Sequence, residues 1–570
     1  MLSGDMEKLY PSTKTLVKEC IASRIFEKDA SLYAFAEDAQ ACAGDYMGWT
    51  DLASNPPYPL SKIQEFADSI ISQGLKSVVL IGQGGSTQAP MTITKYNKAD
   101  SSRVKFRTLD SDSPVRVRGI LSEVTPETTL FIISSKSGGT IEPRLALQAV
   151  RAALADCMPD EELVKHLVAI TDPGSSLERQ AQEEGWAAIF PGEPSVGGRF
   201  SALSVFGLLP AALVGIDLTE FMGHAIEAER QCSEDAIDNP AIGLAAFLYD
   251  NYLQGRNKFS FLTPKRGRVL GLWIEQLVAE SLGKGGQGIL PNIEIDSLLL
   301  KKDPADRAVI MYQTKTDLWD ERKNFEMSLS YIDPAIPRVN FRIDSAEELA
   351  EHFVMWEYAI AMCGYLMRLC PFDQPDVASA KAVVLDILKD GQPEPDFVQD
   401  FIGDVNMGEV EVRLAPCFKD CTDVRAALRA LLGSIQPGDY FALNAFLPYT
   451  GEGRREALET IRHGVAAKRH VVSCLEVGPR YLHSTGQLQK GGPNSGVFLI
   501  LSADELKDIP LKQEAESLGA LAKAQASGDL LTLADRGRRC VHLHLPDNSG
   551  ATLRGLSEVV MGVLESLDEA

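Results

Sequence analysis

The sequence predicts an α/β fold of doubly wound parallel sheets divided among several domains, and three observations predict it. Short β-branched apolar runs recur along the chain, each bounded by glycine, serine or aspartate. Segments with helical spacing separate them, so strand and helix alternate as they do where helices cover both faces of a parallel sheet. The length, 570 residues, is more than a single core usually organises.

Composition narrows the function classes. The chain is 45% hydrophobic and 24% charged, without a long low-complexity segment. Its formal net charge of -23 argues against nucleic acid and anionic membrane as partners. A small anionic ligand remains compatible, because local cations outweigh a distant field at short range. Ten cysteines without tight spacing read as reduced thiols. Cys417 and Cys421 are the closest pair but lack a second Cys/His pair nearby, so zinc is not expected there. The N-terminus has no apolar signal core, and the apolar run 203–218 is short and broken by Pro210. A cytoplasmic location is expected.

In chain order, residues 1–60 read as helical padding that ends in Asn55-Pro56-Pro57-Tyr58-Pro59. A helix through Ile63, Phe66, Ile70 and Ile71 then leads into a strand at 78–81. That strand opens into Gly82-Gln83-Gly84-Gly85-Ser86, whose glycines allow a sharp turn and close approach of a ligand to the backbone. The third glycine of a dinucleotide fingerprint is missing. A second apolar run, 130–133, is followed by Ser134-Ser135-Lys136-Ser137-Gly138-Gly139-Thr140 and then a helix. Strand, hydroxyl-rich turn and helix start together make a cup of N–H and O–H donors suited to a phosphate. The same loop also reads as an ordinary N-capped turn, and it is not a Walker loop. Further strands at 104–107, 166–172 and 187–190 fit one sheet, so both loops would open at the same crevice.

Gly197-Gly198-Arg199-Phe200-Ser201 follows, with paired glycines that suit a turn presenting the guanidinium to a ligand or to solvent. A second α/β unit is predicted from helices over 219–253, a strand at 259–262, and a helix carrying Gln276 and Glu280 on one face. Glu280 sits near the C-terminal end of that helix, where the dipole suits a proton-accepting carboxylate; the bland reading is a solvated surface residue. Strands at 308–312 and 338–343 and a helix over 346–369 complete the unit. Pro371-Phe372-Asp373-Gln374-Pro375 then stops one helix and starts another, on which Lys381 falls.

Five motifs occur here in the order found in phosphoglucose isomerases, which this chain resembles over about residues 60–390. They are Gly-x-Gly-Gly-Ser (82–86), Ser-Lys-Ser-Gly-x-Thr-x-Glu (135–142), Gly-Gly-Arg-Phe-Ser (197–201), Glu-Ser-x-Gly-Lys (280–284) and Phe-Asp-Gln-Pro (372–375). The resemblance implies two sugar-isomerase (SIS) domains, each a parallel sheet flanked by helices. It implies interconversion of glucose 6-phosphate and fructose 6-phosphate, without metal or organic cofactor. Gly85, Ser86, Ser135, Lys136, Ser137 and Thr140 would hold the phosphate, and Gln276 and Gln374 would line the pocket. Glu280 would be the base, Arg199 would neutralise the enediolate, and Lys381 would contribute after the Phe-Asp-Gln-Pro turn. A homodimer is in keeping with the family.

The chain departs from the family pattern in three places. Gln83, Gln88 and Ala89 replace hydrophobic and glycine residues around the first loop, and Gly139 stands where threonine is common. The ring-opening histidine motif is missing from its usual interval, where His352 is the only histidine. A substitute lies in the third domain, whose strands at 440–443, 471–474, 497–500 and 541–544 alternate with helices. There Leu-His-Ser-x-Gly-Gln (482–487) resembles the family's histidine motif and makes His483 the expected ring opener. His542 and His544 alternate on a strand and are expected to pack or face solvent. The chain also resembles, nearly end to end, the isomerase half of bifunctional transaldolase/phosphoglucose isomerase proteins. The expected organisation is N-terminal helices with a first SIS domain (1–200), a second SIS domain (201–400) and a C-terminal α/β domain (401–570). Two other functions fit the same motifs: a dual phosphoglucose/phosphomannose isomerase, and a non-catalytic SIS sensor of sugar phosphate. A sensor has no use for both Arg199 and Glu280.

Overall fold

The apolar run at Ser77–Gly82 (β1) is buried along its whole length, as a central strand covered on both faces must be. In the computed structural model, which describes residues 10–97, 104–293, 297–301, 305–314, 319–402, 405–512 and 515–568, it lies between β2 (Lys105–Leu109) and β3 (Thr129–Ser134). With β4 (Leu167–Thr171) and β5 (Ala188–Pro191) these strands form a fully parallel sheet in the order β2-β1-β3-β4-β5. Strand order reverses between β1 and β3. The loops leaving those two strands therefore flank the crevice where doubly wound sheets bind ligands.

A second parallel sheet has the order β7-β6-β8-β9, from β6 (Lys258–Leu262), β7 (Leu290–Ile293), β8 (Arg307–Thr314) and β9 (Arg338–Ile343). One hydrophobic core joins this sheet to the first, running from Leu80 and Ile132 through Leu209 and Trp273 to Phe259 and Ile310. The helix Val205–Leu213 is buried at every position, which accounts for its unbroken apolar sequence. The described residues gather into two compact units. The first holds both of these sheets and runs to Gln374, apart from 111–119 and 148–153; the second holds those two short segments and the chain from Pro375 onward.

The second unit carries a six-stranded sheet in the order β10-β11-β15-β14-β12-β13. Its parallel part is β12 (Tyr440–Phe446), β13 (Val472–Val477), β14 (Gly496–Ala503) and β15 (Arg539–Leu545). An antiparallel pair, β10 (Phe397–Ile402) and β11 (Val405–Leu414), is added along β15. The fold class is therefore the expected one: two SIS-type parallel sheets and a further α/β sheet. Three strands escaped the sequence reading. β7 contains Pro291, and β10 and β11 are short of the continuous apolar run that marks a buried parallel strand. No described helix is long and apolar enough to cross a membrane.

Candidate active site

The two predicted loops do open at the point where strand order reverses. After β1 the chain turns through Gly84, which has φ +56, into the helix Gly85–Tyr96. A Cβ on Gly85 would lie 2.0 Å from the Gly198 carbonyl oxygen and 2.9 Å from the Arg199 nitrogen. Only glycine lets the first loop lie directly on the Gly-Gly-Arg turn. After β3, Gly138 takes φ +66 where a Cβ would lie 2.8 Å from the Leu177 nitrogen, and the chain enters the helix Ile141–Leu154. Thr140 is the N-cap residue, but its side chain makes no capping bond to the helix. Its Oγ1 instead lies 3.4 Å from Ser135 Oγ. The first N–H groups of the helix and these two hydroxyls thus share one end.

Lys136 is engaged elsewhere: its ammonium pairs with Asp172 and donates to the Pro194 carbonyl at 3.0 Å. The nearby positive charge expected from the sequence is therefore largely neutralised. Ser86 is buried at the first turn of its helix, and Ser137 is exposed with its Oγ accepting from the Gly139 N–H at 3.3 Å.

Arg199 and Glu280 meet in the interior, 3% and 9% exposed, with Arg199 Nη1 3.6 Å from Glu280 Oε2. Glu280 lies in the last turn of the helix Arg268–Leu282, and Gln276, one turn earlier, donates from Nε2 to Glu280 Oε2 at 3.1 Å. The shared face inferred from their spacing is real, and Glu280 is not the solvated residue of the bland reading. The arginine is held on every nitrogen. Nε donates to Ser281 Oγ at 2.8 Å, Nη1 to Gln374 Oε1 at 3.0 Å, and Nη2 to the carbonyls of Pro371 and Asp373 at 2.6 and 2.9 Å. Three of the five motifs are thereby tied together through one guanidinium, a planar donor fork that lysine cannot imitate.

Lys284, which the sequence reading quoted in a motif but gave no role, braces the same turn. Its buried Nζ donates to the Cys370 carbonyl at 2.8 Å, the Asp373 carbonyl at 2.6 Å and Asp373 Oδ1 at 2.5 Å. Burial, then the nearby Arg199, lowers its pKa, while Asp373 opposes both. Beneath the turn lies an aromatic cluster in which Phe200 stacks on Trp49 at 5.0 Å and meets Phe372 edge-on at 5.4 Å. Tyr33 adds an edge contact to Phe372 at 5.3 Å. The N-terminal segment, read as padding, thus supplies the floor that fixes Phe200 and Phe372 beside Arg199.

Some buried polar atoms here have no protein partner among the described residues: Oε1 of Gln83, Gln88 and Gln276, and Nε1 of Trp273. Gln83 and Gln88 flank the Gly84–Ser86 turn, at the positions where the sequence departs from the family pattern. Orphaned amides of this kind are costly unless a ligand satisfies them.

Lys381 and His483 belong to the second unit. Lys381 is exposed on the helix Pro375–Asp390, and His483 is half-buried at the end of a short turn, Arg480–His483. That turn is anchored by Tyr481, whose hydroxyl donates to Asp529 Oδ2 at 2.6 Å, while the buried Lys490 reaches Asp529 Oδ1 at 2.5 Å. Gln487 of the same motif accepts from the Asp376 N–H at 3.0 Å and donates to Asp376 Oδ2 at 2.6 Å. His352 is a core residue, 3.0 Å from the Tyr312 hydroxyl, with burial pulling its pKa down to about 4. His542 and His544 are buried, both 2.8 Å from Ser502 Oγ.

Two doubly wound sheets, with an arginine-braced carboxylate and a hydroxyl-rich loop at a strand-order reversal, make an SIS-type fold. The phosphoglucose isomerase family model matches residues 60–291 of this chain. The chain is 29% identical over 390 residues to a glucose-6-phosphate isomerase of Mycoplasmopsis pulmonis, a match covering 60% of this chain and 90% of that protein. It is 36% identical over 241 residues to one of Desulfitobacterium hafniense strain Y51, covering 40% of this chain and 44% of that protein, less than half of the relative's length. A crystal structure of a glucose-6-phosphate isomerase from Chlamydia trachomatis shares the fold with a TM-score of 0.54 at 17% identity, covering 68% of this chain and 86% of that one.

Proposed function

We propose that this chain is a glucose-6-phosphate isomerase, an aldose–ketose isomerase interconverting glucose 6-phosphate and fructose 6-phosphate through a cis-enediol. The observation that carries the reading is the buried Arg199–Glu280 pair with Gln276 on the carboxylate. Moving a carbonyl from C1 to C2 requires taking the C2 proton and returning it to C1, which one carboxylate, Glu280, performs on one face of the enediol. Charge then develops on oxygen, and the fixed guanidinium of Arg199 stabilises it without reorganising. Gln276 aims the carboxylate, and the orphaned amides of Gln83 and Gln88 await sugar hydroxyls. Measuring turnover of purified protein with fructose 6-phosphate and with mannose 6-phosphate tests the reading. Turnover of neither sinks it, and equal turnover of both would make the enzyme a dual isomerase.

In this reading the phosphate sits on Ser86, Ser135, Ser137, Thr140 and the N-terminus of the helix Ile141–Leu154. Since Lys136 is committed to Asp172, hydroxyls and N–H groups carry the anion. Ser135→Ala and Thr140→Ala are expected to raise KM more than they lower kcat, each removing a hydrogen bond to a charged group worth about 1.5–3 kcal/mol. Unchanged KM in both variants would move the phosphate elsewhere.

His483 is assigned to ring opening and Lys381 to a supporting role. Imidazole suits the first task because its ordinary pKa, near 6.5, lets it donate to and accept from the ring oxygen. Three features support the assignment: the histidine motif at 482–487, the absence of one in the usual interval, and the commitment of His352 to the core. His483→Ala is expected to lose activity on cyclic glucose 6-phosphate yet still exchange the C2 proton of open-chain sugar phosphate. Equal loss of both reactions would assign His483 a structural part. The same reading includes the three-domain division at residues 200 and 400, a homodimer, a cytoplasmic location and kinship with the isomerase half of bifunctional transaldolase proteins.

A further inference from the structure

Behind the turn that Arg199 and Lys284 grip, two thiols and a carboxylate come together. Cys42 lies on the helix Glu37–Tyr46, while Cys370 and Asp373 flank Pro371-Phe372. The two sulfurs and a carboxylate oxygen all lie within 4.8 Å of one another. Asp373 uses Oδ1 on Lys284 and has no partner on Oδ2 among the described residues. Cys42 and Asp373 are part-exposed, so a small ion has a way in.

We propose that Cys42, Cys370 and Asp373 form a binding site for a thiophilic divalent cation, zinc(II), distinct from the sugar-phosphate site. Two sulfurs and one oxygen are a donor set that zinc accepts, with a fourth position left for water. The surroundings supply a supporting bond of the kind such sites need: Lys284 fixes the carboxylate. Charge also balances. Zinc enters as a dication and two thiol protons leave to solvent, so two zinc–sulfur bonds form with no net change in charge beside Lys284 and Arg199. No oxidation is involved.

Occupancy would also reach the catalytic turn, because Arg199 holds that turn by the carbonyls of Pro371 and Asp373, the two residues on either side of Phe372. Binding zinc draws Cys370 and Asp373 toward Cys42 and shifts those carbonyls. Resting on the isomerase reading, the expected result is reversible inhibition by zinc.

The test uses the full chain reduced and freed of metal, titrated with zinc chloride and separately with cobalt(II) chloride. One zinc per chain, release of two protons and a near-ultraviolet thiolate-to-cobalt charge-transfer band are expected. Cys42→Ser should lose the band and the proton release while keeping basal turnover, and its turnover should resist zinc. Should Cys42→Ser fold poorly, protection of Cys42 in the unaltered chain from iodoacetamide by zinc gives the same answer. No charge-transfer band, zinc affinity unchanged in Cys42→Ser, or alkylation of Cys42 unaffected by zinc would each overturn the site. The binding arm needs no turnover, so failure of the isomerase reading would leave it standing or falling on its own.

Discussion

Glu280→Gln is expected to lower kcat by about 10²–10⁴-fold, the range that a positioned general base contributes, while substrate affinity changes little. The substitution keeps size and position: the amide still meets Gln276 Nε2 through its oxygen, and the helix Arg268–Leu282 is left intact. What disappears is the proton acceptor, and with it the negative partner 3.6 Å from Arg199. The measurement separates chemistry from binding. Exchange of the C2 proton with solvent deuterium should stop, while a sugar-phosphate ligand still protects the fold against heat. Near-normal exchange would remove Glu280 from the mechanism. Exchange retained with isomerisation lost would instead point to a base acting only at C1.

Much of this site was legible in the sequence because its motifs are local. A buried strand, a glycine turn and a helix start leave a continuous signature, so β1 with Gly84–Gly85 and β3 with Ser135–Thr140 could be placed before their sheet was known. The four-residue spacing likewise put Gln276 and Glu280 on one face, where their hydrogen bond now lies. What stayed hidden depends on contacts between distant segments. Nothing local in Gly197-Gly198-Arg199 reveals that the guanidinium will be spent on the backbone of residues 371–373. Nothing local in Lys136 reveals Asp172 as its partner. Trp49 and Tyr33 looked like filler because a floor of aromatic rings has no motif. The antiparallel pair β10–β11 escaped for the opposite reason, since an edge pair alternates and mixes polar residues that a buried parallel strand excludes.

Arg199→Ala should be damaging twice over, once to the fold and once to the chemistry. Removing a buried, fully bonded guanidinium leaves Ser281 Oγ, Gln374 Oε1 and the Pro371 carbonyl without its donation, leaves the Asp373 carbonyl to Lys284, and leaves Glu280 without its counter-charge. Breaking a buried ion pair by deleting one member costs about 3–5 kcal/mol, which thermal or denaturant unfolding will read as a lower midpoint. Loss of a fixed donor at a developing oxyanion costs about 10²–10³-fold in kcat. Arg199→Lys divides the two effects. It keeps the positive charge but offers one nitrogen where the arginine presents three, so it cannot reach Ser281, Gln374 and both carbonyls together. Lysine should therefore recover stability only in part and activity less, because the 371–374 turn loses its planar brace. Adding guanidinium ion at a concentration too low to unfold the chain should restore some turnover to Arg199→Ala and none to Arg199→Lys, whose own side chain occupies the space. Rescue of stability without rescue of turnover would make Arg199 a brace for the turn and hand charge stabilisation to another cation, with Lys284, buried against the same turn, the first to examine.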